Sequence, residues 1–435
     1  MKKEKIWYPG KESRKIIAED KKFISHCVTR DYDFVYKKAK GVYVWDADGN
    51  KFLDFCSSVA VMNTGHTNPD VVKAIKKQLN YGFHCGFTDF FAEVPLRFAQ
   101  KVISFLPKSL NQAFLSNSGT ESVEAAYKLA RWHTNKEWVV AFSPCFHGRT
   151  MGSLSMTNAK PVQRERFAPF LPVKHTPYPY CYRCAFGKKY GSCSFECLVA
   201  LEKTIKSCKG DLAAIFIEPV AGEPGYIVPP FEFHKGLRKL CDDYDVLLCA
   251  DEVQSGNFRT GTFLALENYK VVPDVVSLSK AIGGGLPIGI TVADRNLQDW
   301  PHGSHANTFG GNLIACAAGI ANLDFMKKKN LGANAVKVGN HILKRLLEIK
   351  DKYEIIGDVR GIGLMIGIEL VKDRKSKEHA IKERHKLLCT ALKNGLILLP
   401  CGISSIRFAP PLIITQGEAD KGFDIFENSL KEVMR

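Results

Sequence analysis

The chain has 435 residues, 45% of them apolar and 24% charged, which excludes a disordered polar chain, a collagen-like repeat and a coiled coil. Its length exceeds what one hydrophobic core serves, so two lobes are expected. The 61 basic residues outnumber the 45 acidic ones, for a formal charge of +16, but they are scattered without a block of five or six like charges, which argues against nucleic-acid binding as the main function.

Along the chain, Met1-Lys2-Lys3-Glu4-Lys5 has no apolar run behind it, so no signal peptide is read and a cytoplasmic location is expected. No segment approaches the roughly 20 apolar residues of a membrane span. Val42 to Phe55 alternates apolar positions around Asp48-Gly49-Asn50, the pattern of a hairpin. Ser116 to Glu121 is a small-residue loop opening a helical stretch, Ser122 to Arg131. Ala213 to Pro219, Asp245 to Asp251 and Val275 to Leu278 read as buried strands, with helical spacing over Phe231 to Tyr244 between the first two. Repeated strand–helix–strand units imply an α/β fold with a parallel, doubly covered sheet, whose ligands sit beyond the carboxyl ends of the strands. From about residue 326 the pattern is helix, strand (Gly363 to Leu370), helix and a short strand at Ser405 to Phe408. These patterns assign residues 59–325 to a large domain and both chain ends, 1–58 and 326–435, to a smaller α+β one.

The polar residues at the strand ends carry the chemistry. Asp251 and Lys280 each close an apolar strand and should face one crevice. Taken alone they would make a structural ion pair, but their neighbours add more. The Ser118-Gly119-Thr120 turn offers free backbone N–H groups and a helix dipole to an anion. Phe146-His147-Gly148-Arg149 sets an aromatic ring beside a cation, and Ala281 to Gly285 after Lys280 is a flexible turn. A phosphate grip, a ring plate, an acid and an amine are the parts that hold pyridoxal phosphate.

Segments SNSGTESVEAAYKLAR, FHGRT, IEPVAGEPGY, LLCADEVQSGNFRTG, PDVVSLSKAIGGGLPIG, NTFGGN and SIRFAPPL stand in one order along nearly the whole chain. In these the chain resembles the class III aminotransferases, pyridoxal-phosphate enzymes of fold type I. HCGFTDFF and PCGISSIRFAPPL look most like archaeal 4-aminobutyrate aminotransferase-like proteins, a group that includes amino-acid racemases. The resemblance implies that Lys280 forms the Schiff base and moves protons, and that Asp251 keeps the pyridine nitrogen protonated. It implies that Gln254 bonds the phenolic oxygen, that Phe146 and Val253 cover the two ring faces, and that Gly119 and Thr120 hold the phosphate; His147 joins the cofactor-binding set, read as a proton carrier or as a packed ring. Thr308 would complete the partner subunit's phosphate site in a homodimer, which could pair further into a tetramer. Arg149 would bind a substrate carboxylate, and Glu223 and Arg407 would form a gate admitting both an ω-amino acid and a 2-oxo acid. The implied reaction is ping-pong transamination from an amino acid such as 4-aminobutyrate to 2-oxoglutarate, with racemisation in the same site as the alternative. Ala221, Phe258 and Leu313 depart from the family pattern, the first two leaving substrate preference open.

Fourteen cysteines are many for a cytoplasmic protein. Ten are spread singly, often among apolar neighbours. Cys181, Cys184, Cys193 and Cys197 cluster in an excursion over residues 178–198, with spacing compatible with a structural zinc knuckle, disulfides or free thiols.

Overall fold

The computed structural model describes residues 8–435. The chain divides into two compact units, one from residues 69–335 and one from both chain ends, residues up to 68 with 336–435. The sequence reading placed these boundaries after 58 and 325.

In chain order, β1 (Tyr36–Lys40), β2 (Tyr43–Asp46) and β3 (Lys51–Asp54) form an antiparallel meander. Asp46 organises the β2–β3 turn: one carboxylate oxygen accepts the N–H groups of Asp48 and Asn50, and Gly49 takes φ +88°. The next seven strands are β4 (Gln112–Ser116), β5 (Trp138–Ser143), β6 (Val173–Pro177), β7 (Leu212–Ile217), β8 (Leu247–Asp251), β9 (Val275–Leu278) and β10 (Gly289–Ala293). The chain closes with β11 (Ile356–Ile362), β12 (Met365–Leu370), β13 (Leu396–Ile397), β14 (Leu399–Cys401) and β15 (Ser405–Phe408).

Strands β4 to β10 form one sheet in the order β4-β10-β9-β8-β7-β5-β6. Strands β5 to β9 are mutually parallel, and only β10 runs against its neighbours. Every residue of β7 and β9 is buried, as expected of parallel strands covered on both faces. On one face the helix Gly119–Thr134 lays Val123, Ala126, Tyr127 and Ala130 into the core with Val139, Ala141 and Ala214.

In the unit of the chain ends, β13 adds parallel to β3, with Leu396 opposite Leu53, so residues from both ends share one sheet. A second sheet runs β11-β12-β15-β14. The expected strand near residue 363 is β12, but sequence periodicity missed β11, β13 and β14. The last two are three residues long or shorter, too short to show alternation. Among the described residues no helix is long and apolar enough to cross a membrane.

Candidate active site

Because β5, β7, β8 and β9 are parallel and sit side by side, their carboxyl ends present Phe146–His147, Glu218, Asp251 and Lys280 in a row. Strand β4 ends on the same side, and after it Ser118 caps the helix Gly119–Thr134 by accepting the Glu121 N–H. The sheet thus gathers Gly119, Thr120, Phe146, His147, Asp251 and Lys280 at one edge.

Asp251 is buried. One carboxylate oxygen meets His147 Nδ1 at 2.8 Å, and the other accepts the Val253 N–H at 3.1 Å. Burial alone would lower the pKa of the His147 ring, but the Cys145 sulfur and the hydrogen bond to Asp251 outweigh it and hold the ring well above 6.5. The sequence reading counted His147 among the cofactor-binding residues; in the structure its ring is buried and hydrogen-bonded to Asp251. Lys280 follows β9 with left-handed backbone, φ +45°, an unfavourable conformation for a side chain with a Cβ, of the kind that clusters at functional sites.

The turn after β5 is braced from outside. Thr157 Oγ1 accepts the N–H groups of His147 and Gly148 at 2.8 and 3.1 Å. Thr120 Oγ1 lies 2.6 Å from Ser153 Oγ and 2.8 Å from Thr150 Oγ1. Gly148 takes φ +142°, and a Cβ there would stand 2.3 Å from Thr120 Oγ1, so only glycine fits. Arg149 is exposed, with its guanidinium carbon 5.7 Å from the Phe146 ring centre.

Two observations test whether these residues fit pyridoxal phosphate. The Gln254 Oε1 is buried with no hydrogen-bond partner, an orphan that calls for a polar ligand. Gly119 and Gly222 leave room where a Cβ would press on Val253 Cγ1 at 2.8 Å and on Gln254 Nε2 at 2.6 Å. With a helix N-terminus for the phosphate and a fixed carboxylate for the ring nitrogen, the residues fit the group.

The remaining predicted residues have the following surroundings. Glu223 pairs with Lys160 Nζ at 2.6 Å, a partner the sequence did not suggest. Arg407 lies on β15 in the unit of the chain ends, where its Nε and Nη2 donate to the Pro400 carbonyl at 3.0 and 2.8 Å. Thr308 is exposed, next to Asn307, whose side-chain oxygen lies 3.3 Å from Asn117 Nδ2. Phe258 packs into an aromatic cluster with Phe105 and Phe263.

Of the three readings of the cysteine cluster, the structure supports the free thiols and gives no support to zinc. Cys181, Cys184, Cys193 and Cys197 are all free thiols, and among the described residues no group of three or more His, Cys, Asp or Glu could hold a metal. The four side chains line a cavity of about 30 Å³. Burial, reinforced by the neighbouring Cys184 and Cys193 sulfurs, pushes the Cys181 thiol up to about 11. Spacing misled here because Cys181 opens a one-turn 3₁₀ segment and Cys197 sits in the first turn of the helix Glu196–Ser207.

Glu218 is the strand-end carboxylate that the sequence reading noted but gave no role. Its signal was present: a carboxylate directly after a buried strand, in register with Asp251.

Residues 26–430 match the model of the family described as aminotransferase class-III. The leucine/methionine racemase of Thermococcus litoralis is 38% identical over 91% of this chain and 90% of its own. The Bacillus subtilis protein named "Probable 4-aminobutyrate aminotransferase" is 34% identical over 94% and 95%. Among solved structures, an ornithine aminotransferase from Toxoplasma gondii, with partial PLP occupancy at its active site, superposes with a TM-score of 0.87 at 27% identity over 97% of this chain and 95% of that one. With the fold, the strand-end row and a family match over nearly its whole length, this chain belongs to the class III aminotransferases.

Proposed function

We propose that this protein is a pyridoxal-phosphate-dependent transaminase that takes the amino group of an ω-amino acid such as 4-aminobutyrate and delivers it to a 2-oxo acid such as 2-oxoglutarate. The observation that carries the reading is the row of Lys280, Asp251 and Phe146–His147 on adjacent strand ends beside the Gly119 helix N-terminus. When bound, pyridoxal phosphate supplies an electron sink for the carbon that bears the amine. The chain's own residues do the rest. The α-helical N-terminus and Thr120 bind the phosphate. Asp251, locked by His147 and the Val253 N–H, fixes a negative charge at the ring nitrogen. Phe146 and Val253 bound the ring faces, and the Gln254 side-chain amide would donate from Nε2 to the ring oxygen. Lys280 Nζ would take the proton from the substrate carbon that bears the amine and hand it on to the cofactor carbon joined to that amine, rather than back to the carbon it came from. Arg149 is suited to hold a substrate carboxylate by a two-point grip.

The sharing of sites between two subunits is part of this reading. Tyr81, Phe83, Phe90 and Phe91 are exposed in one short segment, and Phe309, beside Thr308, packs tilted against His84 with ring centres 5.3 Å apart. An exposed aromatic patch of this kind suits burial against a second copy.

The test is an absorption spectrum of the purified protein before and after 4-aminobutyrate is added without any oxo acid. Loss of the visible cofactor band, with pyridoxamine phosphate appearing, is the expected outcome. The 38% identity to a leucine/methionine racemase supports racemisation as the second reading. A band that survives 4-aminobutyrate, with single-enantiomer amino acids losing optical rotation, would move the assignment there.

A further inference from the structure

Glu218 lies directly after β7 and is 5% exposed. Its two carboxylate oxygens serve different segments. Oε1 accepts the Phe146 N–H at 2.8 Å, and Oε2 accepts the Gly222 N–H, also at 2.8 Å. Its main-chain carbonyl accepts the Tyr178 O–H at 2.8 Å. Phe146 opens the turn that carries His147 and Arg149. Gly222 has no Cβ, and one there would stand 2.6 Å from Gln254 Nε2, so the glycine backbone runs close beside that amide; it precedes Glu223. The two loops are far apart in sequence, and one side chain joins them.

We infer that Glu218 is a positioning residue, a carboxylate clasp that sets the distance between the Phe146 plate and the Gly222–Gln254 wall. This rests on the cofactor reading above. A carboxylate suits the task because both its oxygens accept, and both partners are N–H donors. Four titratable groups face it: His147, Asp251, Tyr178 and Cys145. Burial, with Asp251 adding and His147 opposing, pushes the Glu218 carboxyl up to about 7. Protonation turns one oxygen into a donor facing an N–H, so the clasp holds both loops when ionised and releases one when neutral. Its action should therefore strengthen as pH rises through neutrality.

The experiment compares wild type with E218Q, which keeps the size but places an NH₂ against one of the two N–H groups. The readouts are the dissociation constant for pyridoxal phosphate added to the apoprotein, by fluorescence quenching, and the pH profile of the visible band of the holoenzyme. E218Q is expected to weaken cofactor binding about tenfold, as for loss of one hydrogen bond to a charged group, and to flatten the pH profile near 7. A wild type that takes up no cofactor overturns the function reading and this inference together. A wild type that binds it, with E218Q indistinguishable in both readouts, overturns the clasp alone. Should E218Q fail to fold, E218D retains the charge on a shorter arm that reaches only one loop. It should weaken binding similarly, and an unchanged constant for it overturns the clasp.

Discussion

Lys280 holds a left-handed backbone that a side chain adopts at a cost of roughly 1–3 kcal/mol, which makes sense only if its amine must be delivered to a fixed point. Lys280→Ala should leave the fold intact by circular dichroism and abolish turnover; near-normal activity in that variant would sink the assignment. Arg149→Ala should raise KM for carboxylate substrates while the cofactor stays bound, because the guanidinium rests on Phe146 at the surface and holds no core together. Glu252 is a different case. It is fully buried, accepts the Leu266 N–H at 3.0 Å and the Ser255 O–H, and burial pushes its carboxyl up to about 7. A carboxyl whose folded pKa lies above its unfolded one favours the fold while protonated, so this contribution is present below about 4.5 and lost as pH rises through 7, in total about 3 kcal/mol. Glu252→Gln can keep both bonds, since the Ser255 hydroxyl can turn to accept. Urea unfolding should therefore show the variant gaining on wild type between pH 5 and pH 8; parallel curves would show that Glu252 does not titrate in this range. Asp251 and Lys280 were legible as chemistry because a charged residue closing an apolar strand is costly unless used. Glu218 carried the same mark, but the proline after it reads first as a strand terminator.

The turn from Cys145 to Thr150 shows how an element makes a site. Its backbone is held by Thr157 and Glu218, its glycine lets Thr120 approach, and its half-buried ring lies beside the exposed Arg149 guanidinium. Gly148→Ala must push Thr120 Oγ1 and Ser153 Oγ apart, since the new methyl would lie 2.3 and 2.4 Å from them. With the added backbone strain it should cost roughly 1–3 kcal/mol and weaken phosphate binding, seen as a lower Tm and a higher cofactor dissociation constant. At this scale the parallel strands were legible because each is a continuous apolar run, whereas β13 and β14 exist only through their partners. The cysteine excursion was legible as a cluster but not as a thiol-lined cavity, because ligand spacing says nothing of where a helix turn sends its sulfurs. A chelator should leave Tm unchanged; a fall of several degrees would bring a bound metal back.

For the molecule as a whole, the exposed segment from Tyr81 to Phe91, with Phe91 fully open, is expected to disappear into a dimer. Phe91→Glu with Tyr81→Glu should shift the mass measured by light scattering from two chains toward one, and lower activity with it if Thr308 serves the neighbouring site. A monomeric wild type would remove the shared-site part of the reading. The pairing of β3 with β13, Leu53 against Leu396, has a further consequence for how the protein comes into being. During synthesis, residues 69–335 leave the ribosome with every strand of their own sheet, while the segment before them must wait for residues some distance beyond 390. The first part made is among the last to settle, so its apolar strand faces, Val44 and Phe52 among them, spend most of translation in need of a chaperone's cover.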